Sequence, residues 1–345
     1  ALLRTLVSVG LVNESRRDPV DDNPRLTCHE LVRDRIQLWM EQSADERGGL
    51  DENVIRLAYA HLLKSYFLAM RHKDMASALQ AGSQALIYCV QAQAWDKMED
   101  FVSSLVTSTR DPVMVNALIP HLQTAAETVL EDQQRLFFLN CLADVLVSAG
   151  QLDASLQAYL QAVSLARAAT EDDEGDTQEA WGRLAVVCCN RAIVYSTLGK
   201  FDDARECYVE STEAEKRGAR PIVNLMINEL QMLHLDVRQG YIERAEPQVA
   251  ERLEIVTQWW NRHEAGQPVP EAPNAELLAR AIIGALNIAL RIDADKRDWA
   301  GALKKVAKVL EIERSISRSP EYRTTTRCDR AYILMELPNH LDEAR

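Results

Sequence analysis

The sequence predicts an all-α fold, a superhelical solenoid of stacked helical hairpins with a short β-hairpin wing near its N-terminus. Three observations predict it. Ala, Leu, Gln, Glu and Arg recur at helical spacing in a chain of 345 residues that holds only 13 Gly and 11 Pro, a composition that favours helices over strands. Two segments in the middle of the chain repeat one another position by position. Turn residues gather before residue 25 and again near residue 268, and long stretches between them read as helix followed by helix.

The first forty residues stand apart. "LLRTLVSVG" is an amphipathic helix stopped by Gly10, "LVNES" and "RLTC" are strand-like runs, and "RRDPVDDNP" between them supplies Pro19, Asp21, Asp22, Asn23 and Pro24 as turn residues. A helix is expected from about His29 to Gln42. Helix, two-stranded wing and helix resemble the end of a winged-helix domain, assigned here to residues 1–42. A hairpin this short is not stable alone, and Ala1 begins inside a helix, so a longer polypeptide is expected.

Residues 43–345 form the helical array. "LNCLADVLVSAGQLDASLQAYLQAV" (139–163) and "CNRAIVYSTLGKFDDARECYVEST" (189–212) align when Gly150 is set on Gly199. Ala143 then lies over Ala192, Leu146 over Tyr195, Leu152 over Phe201, Ser155 over Ala204, Tyr159 over Tyr208 and Ala162 over Ser211. Small residues at Ala143 and Ala192 let two helices approach closely, and a glycine at the turn takes the left-handed conformation that ends a helix. Weaker copies appear at His72–Leu86, Gln239–Leu253 and Lys296–Leu310, and "LPNHLDEAR" (337–345) starts another. "AWDKMEDFVSSL" and "VNALIPHLQTAAETVL" read as hairpins whose signature has decayed. "EDDEGD" (171–176) and "HEAGQPVPEAPN" (263–274) read as inter-helix loops.

This order of small residue, Gly, aromatic, Ala, aromatic and Ala resembles the tetratricopeptide repeat, most strongly over 137–215. The strong pair lies 49 residues apart, longer than that family's period of about 34. The resemblance implies a concave face lined by the first helix of each hairpin and suited to a protein or peptide. In the strong repeats that face holds Phe137, Asn140, Asp144, Val147 and Ser148, then Val186, Cys189, Ile193, Ser196 and Thr197. Asp144 would repel a C-terminal carboxylate, so a chaperone-tail clamp is not expected.

Charge and motifs exclude several functions. A formal net charge of −13 opposes bulk attraction to nucleic acid or an anionic membrane, so neither is expected as a partner. A local basic stretch, with Lys304, Lys305, Lys308, Arg314 and Arg318, is the exception and a candidate patch for an acidic ligand. Seven scattered cysteines read as reduced core residues of a cytoplasmic protein. No apolar run reaches the roughly 18 residues of a membrane span, and "ALLRTLVSVGLV" lacks a signal peptide's basic leader.

No catalytic constellation emerges, and no metal site or cofactor is expected in these residues. "HELVR" looks like half of a zincin helix, but the second histidine's place is taken by Arg33. Gly199-Lys200 is no phosphate loop, since Val194 stands where its first Gly would be and Phe201 where Ser or Thr would be. "EDDEGD" lacks the alternating ligands and terminal Glu of a calcium loop.

A second resemblance covers about forty residues. "LVSVGLVNES" followed by "RLTCHELVRDRI" looks like the end of the winged helix in STAND-type signalling ATPases, which include the NB-ARC ATPases. Cys28, His29 and Glu30 would stand for that family's Met-His-Asp motif, with Leu31, Val32 and Arg33 following. Cys28 and Glu30 depart from the commonest residues. The resemblance implies that His29 reaches the diphosphate of ADP supplied by an upstream ATPase domain, ADP or ATP being cofactors of that longer protein. It further implies a bacterial signal-transduction protein that self-associates when a trigger on the repeats releases the closed state. Read from the residues alone, His29 is equally a histidine that caps its helix and packs on the wing. The alternative to the ATPase reading is a stand-alone repeat scaffold that assembles a protein complex.

Overall fold

The computed structural model describes residues 51–71, 73–109, 111–171, 177–316 and 330–336, together with the backbone of six residues near the N-terminus. Those six are β1 (Val12–Glu14) and β2 (Leu26–Cys28), antiparallel with Val12 opposite Cys28 and Glu14 opposite Leu26. They coincide with the two strand-like runs, but the winged helix, and the wing as part of it, finds no support beyond this pairing. His29 and its expected helix, the acidic loop from residue 172 to 176, Arg318 and the segment from residue 337 lie outside the described residues. The chain divides into two units, Ala1–Leu105 and Val106–Arg345.

In the first unit α1 (Glu52–Met70) and α2 (Met75–Gln91) pack as a hairpin, followed by α3 (Trp95–Ser108), of which the residues to Leu105 belong here. Asp51 and Asp74 cap the two helices, accepting from the backbone N–H of Asn53 at 2.7 Å and of Ser77 at 3.2 Å, so each satisfies a donor that the first turn leaves open. Phe67, Ala78, Ala85, Leu86, Met98 and Phe101 are buried, and the rings of Phe67 and Phe101 meet edge to face at 6.4 Å. A Cβ on Gly82 would fall 2.8 Å from Leu105 Cδ1 and 3.1 Å from Phe67 Cδ2. Residue 82 is therefore small because the helices cross there.

The second unit runs through α4 (Pro112–Thr128), α5 (Asp132–Ser148), α6 (Leu152–Glu171), α7 (Thr177–Thr197), α8 (Phe201–Arg217), α9 (Ile222–Arg238), α10 (Ile242–Glu264), α11 (Ala275–Asp295) and α12 (Trp299–Ser315). A further helical stretch covers 330–336. Consecutive helices pack on one another from α4 to α12, and α9 packs on α11 as well. The aligned positions of the two strong repeats share their burial. Ala143 and Ala192 are at 0% exposure, Tyr159 and Tyr208 at 1%, and Ala162 and Ser211 at 0%. Buried hydroxyls find carbonyls on the facing helix: Ser155 Oγ donates to the Ala143 carbonyl at 3.0 Å and Ser211 Oγ to the Ala185 carbonyl at 2.8 Å. Those bonds remove the penalty of burying a polar atom.

The turns share one geometry. Gly150, Gly199 and Gly240 have φ of 74°, 74° and 84°. The next residue's N–H returns to a carbonyl five positions back: Gln151 to Leu146 at 2.8 Å, Lys200 to Tyr195 at 2.9 Å and Tyr241 to Asp236 at 2.9 Å. This is the Schellman closure of a helix. The turn before α12 repeats it with Asp298 bonded to Asp293 at 2.8 Å, although Arg297 there holds a φ of 62°.

The long repeat spacing, expected to come in part from the two inter-helix loops, also comes from the length of the helices. α6, α7, α10 and α11 run for 20, 21, 23 and 21 residues. The Pro-rich connection between α10 and α11 is a loop, and it is tied down. Val223 N–H donates to the Glu271 carbonyl at 3.0 Å, Arg262 pairs with Glu271 at 3.1 Å, and Val269 and Ala272 are buried. A core cluster joins that loop to α9, α10 and α11 through Trp259, Trp260, Ile282 and Ile288.

Candidate ligand-binding groove

The first helix of each hairpin, α5, α7, α9 and α11, carries the positions expected to face a ligand. On α5, Phe137, Asn140, Asp144 and Val147 are half-buried and Ser148 is exposed. Asn140 accepts from Asn190 Nδ2 of α7 at 3.2 Å, which ties the two inner helices together. Asp144 accepts from the Tyr159 hydroxyl. Burial pushes its carboxyl above the ordinary carboxylate range, and the tyrosine bond opposes the shift. The same burial, with the charge of Asp144 beside it, drives the Tyr159 hydroxyl upward, so this pair is a structural latch with one shared proton donor. It is not a free carboxylate facing a ligand.

On α7, Cys189 and Ile193 are half-buried, and Val186 and Thr197 are exposed. Ser196 departs from the expectation of an open groove position. It is 7% exposed, and both its hydroxyl and its carbonyl accept from Arg238 Nη1 of α9, at 2.7 and 2.9 Å. Burial raises the Cys189 thiol to about 11, with Arg280 pulling the other way. A thiol held there is uncharged at neutral pH and a poor nucleophile.

The expected basic patch on α12 is partly matched by its own surroundings. Lys305 pairs with Asp293 and Lys308 with Glu311 at 3.0 Å, while Lys304 and Arg314 are exposed.

Residues that the strong repeats alone did not point to complete the face. Setting Gly199 on Gly240 lays Ile193 over His234 and Thr197 over Arg238. Setting Gly240 on Arg297 lays His234 over Arg291. His234 is half-buried on α9, and its imidazole is pushed down to about 4, first by burial and then by the charges of Arg291 and Arg238. Arg238 stacks over the Phe201 ring at 5.2 Å. On α11 the exposed residues Glu276, Arg280, Asn287, Arg291 and Asp295 follow one helical stripe, with Gly284 in its middle. Extending the registration to the weaker repeats would have found them.

An open depression of about 490 Å³ lies beside this face, lined by Asp202, Arg205, Asp236, Gln239, Tyr241 and Arg244. Its charges satisfy each other. The buried Asp236 carboxylate accepts from Arg205 Nη2 at 2.5 Å and Arg244 Nη2 at 2.6 Å. It is a brace at the turn between α9 and α10.

A family profile matches part of this geometry. The profile is that of the tetratricopeptide repeat, over residues 185–217. That segment is similar to a tetratricopeptide repeat. It spans most of α7 and all of α8, the second of the two strong repeats. None of the curated proteins compared with the chain matches it. Among solved structures the chain is similar to the apo form of RapI, with 11% identity, 80% of this chain and 97% of that one covered, and a TM-score of 0.48. It is similar to aspartyl phosphate phosphatase F from Bacillus subtilis, with 10% identity, 92% and 81% covered, and a TM-score of 0.46. BtubC (BKLC) from P. vanneervenii gives 16% identity, 78% and 94% covered, and a TM-score of 0.42. Among the described residues no helix is long and apolar enough to cross a membrane, and no group of three His, Cys, Asp or Glu is placed to hold a metal ion.

Proposed function

We propose that this chain binds a protein or peptide along the inner face of α5, α7, α9 and α11, and that it is the sensing part of a regulatory STAND-type ATPase. One observation carries the binding reading: Ile193, His234 and Arg291 occupy the same registered position on three successive inner helices, so the face is continuous across repeats. Hydrogen bonds from Asn190 to Asn140 and from Arg238 to Ser196 fix those helices against each other, so a ligand meets a surface already organised and loses less entropy in ordering it. A photo-crosslinking residue placed at Ile193 should trap a partner, and the same residue at Leu160, which is 41% exposed on α6, should not. Equal or reversed labelling would sink the groove.

The ATPase part of the proposal rests on the resemblance at Cys28 to Arg33. It assigns His29 to the diphosphate of ADP, with the repeats holding the closed state until a trigger binds. In the full-length protein His29→Ala should speed ADP release or give activity without trigger. Unchanged ADP retention and basal activity would leave the stand-alone scaffold as the reading.

A further inference from the structure

The exposed side of α1 carries no Asp, Glu, Lys or Arg. Val54, Leu62 and Tyr66 are 58%, 65% and 45% exposed there, and Ala58 lies between them at the same spacing of four, which sets all four on one stripe of the helix. The helix's charges lie off that stripe and are paired, Glu52 with Arg56 and Lys64 with Asp100 of α3. A solvated helix reads otherwise. The exposed side of α8 shows Asp202, Glu206 and Glu213 around a single Val209. An array that ends in water ends on a polar face, so an uncharged apolar stripe at its first helix marks a contact surface.

The segment just before α1 has the matching pattern. Residues 29–42 are expected from the sequence as a helix, on which Val32, Ile36 and Met40 fall along one side with Trp39 beside them, and Asp34, Gln37 and Glu41 fall opposite. Residues 43–50, with Gly48 and Gly49, join it to the cap of α1, and a connection of that length reaches at most about 30 Å. That is enough for the chain to reverse. Setting Gln42 level with Glu52 in an antiparallel pair brings Met40 against Val54, Ile36 against Ala58 and Val32 against Leu62, so two ridges of spacing four meet with a large residue facing a small one at the centre.

Area favours this occupant over a second molecule. A strip about 28 Å long and about 10 Å wide covers a few hundred Å². Each side of a stable complex buries roughly 800 Å². A tethered helix needs less, because a short flexible linker holds it at a roughly millimolar effective concentration.

We propose that residues 29–42 form a helix docked antiparallel on the exposed stripe of α1, in the register that sets Ile36 against Ala58. The packed array then begins at His29, which the register places level with Ser65. This docking is independent of the groove on the inner face.

The test uses the full chain. Oxidation of the Ile36→Cys/Ala58→Cys variant should give an intramolecular disulfide, found by mass spectrometry of the joined tryptic peptides in the monomer band. Gln37→Cys/Ala58→Cys, whose first cysteine falls on the opposite side, should give at least fivefold less. In hydrogen exchange, amides of residues 32–42 should exchange at least tenfold faster in Leu62→Asp than in the wild type. Unchanged exchange in α2 shows that this variant still folds, and Val54→Asp gives a second reading of the same stripe. A disulfide that joins two chains, in a yield that rises with protein concentration, would overturn the tethered helix in favour of a second copy. Equal yields from the two cysteine pairs would overturn the register, and exchange of residues 32–42 that neither aspartate variant alters would overturn the docking.

Discussion

Lowering the pH from 7 to 5 should reduce the stability of the second unit by about 2 kcal/mol through His234 alone. The imidazole titrates near 6.5 in the unfolded chain and is held down to about 4 in the fold, by burial first and by Arg291 and Arg238 next. Between those values the unfolded chain takes up a proton that the native protein refuses, so the stabilising contribution is complete above 6.5 and is lost as the pH falls toward 4. At pH 5 the unfolded state gains about 2 kcal/mol from that proton, against about 0.2 kcal/mol at pH 7. Urea unfolding of the wild type and of His234→Gln at both pH values isolates the effect, because other carboxylates and histidines contribute equally to the two proteins. The glutamine variant should lose about 2 kcal/mol less than the wild type across this range. A proton NMR titration supplies the direct reading. An imidazole that titrates at 6 or above, or parallel pH dependences for the two proteins, would refute the argument.

Four further outcomes follow from the core and the turns. Gly199→Ala should lower stability by about 1 kcal/mol, since the φ of 74° penalises a Cβ that otherwise meets nothing; Arg297→Gly should raise it by up to about 1 kcal/mol, and both shifts are read from urea midpoints. Asp144→Asn keeps an acceptor for Tyr159 and removes a carboxyl whose raised pKa makes its contribution full at acid pH and lost as the pH rises through the carboxylate range. The variant's melting temperature relative to the wild type should therefore climb from pH 3 to pH 7, and a flat difference would contradict the burial of that group. Asp236→Ala should cost about 2 kcal/mol by leaving Arg205 and Arg244 without their shared acceptor; a midpoint within error of the wild type would show that the brace is spent on solvent-exposed guanidiniums.

Much of the helical array was legible because the signals are local. A glycine that ends a helix, an alanine where two helices touch and a tyrosine that fills the gap each have a short-range cause, and Gly150, Ala143 and Tyr159 all stand where that logic puts them. The groove was legible only in part. Asp144 and Ser196 lie on the expected helices, yet Tyr159 and Arg238 claim their polar atoms, and such pairings join residues 15 and 42 positions apart. The positions that complete the face lie on α9 and α11, whose closing turns match those of the two strong segments although few of their other residues do. Lys305 misled for a related reason: a run of basic residues says nothing of Asp293, which lies one helix earlier and neutralises it.

The uniform turns have a consequence for how such an array can change. Each joint is closed by the same backbone bonds whether the residue at its centre is Gly199 or Arg297, while the distance from joint to joint varies from 41 to 57 residues between Gly199, Gly240 and Arg297. Length is therefore free to drift inside the rods so long as the joints are kept. The segment matched by the repeat profile, 185–217, is centred on one such joint, at Gly199. The protein's modules are counted better by their corners than by their sides.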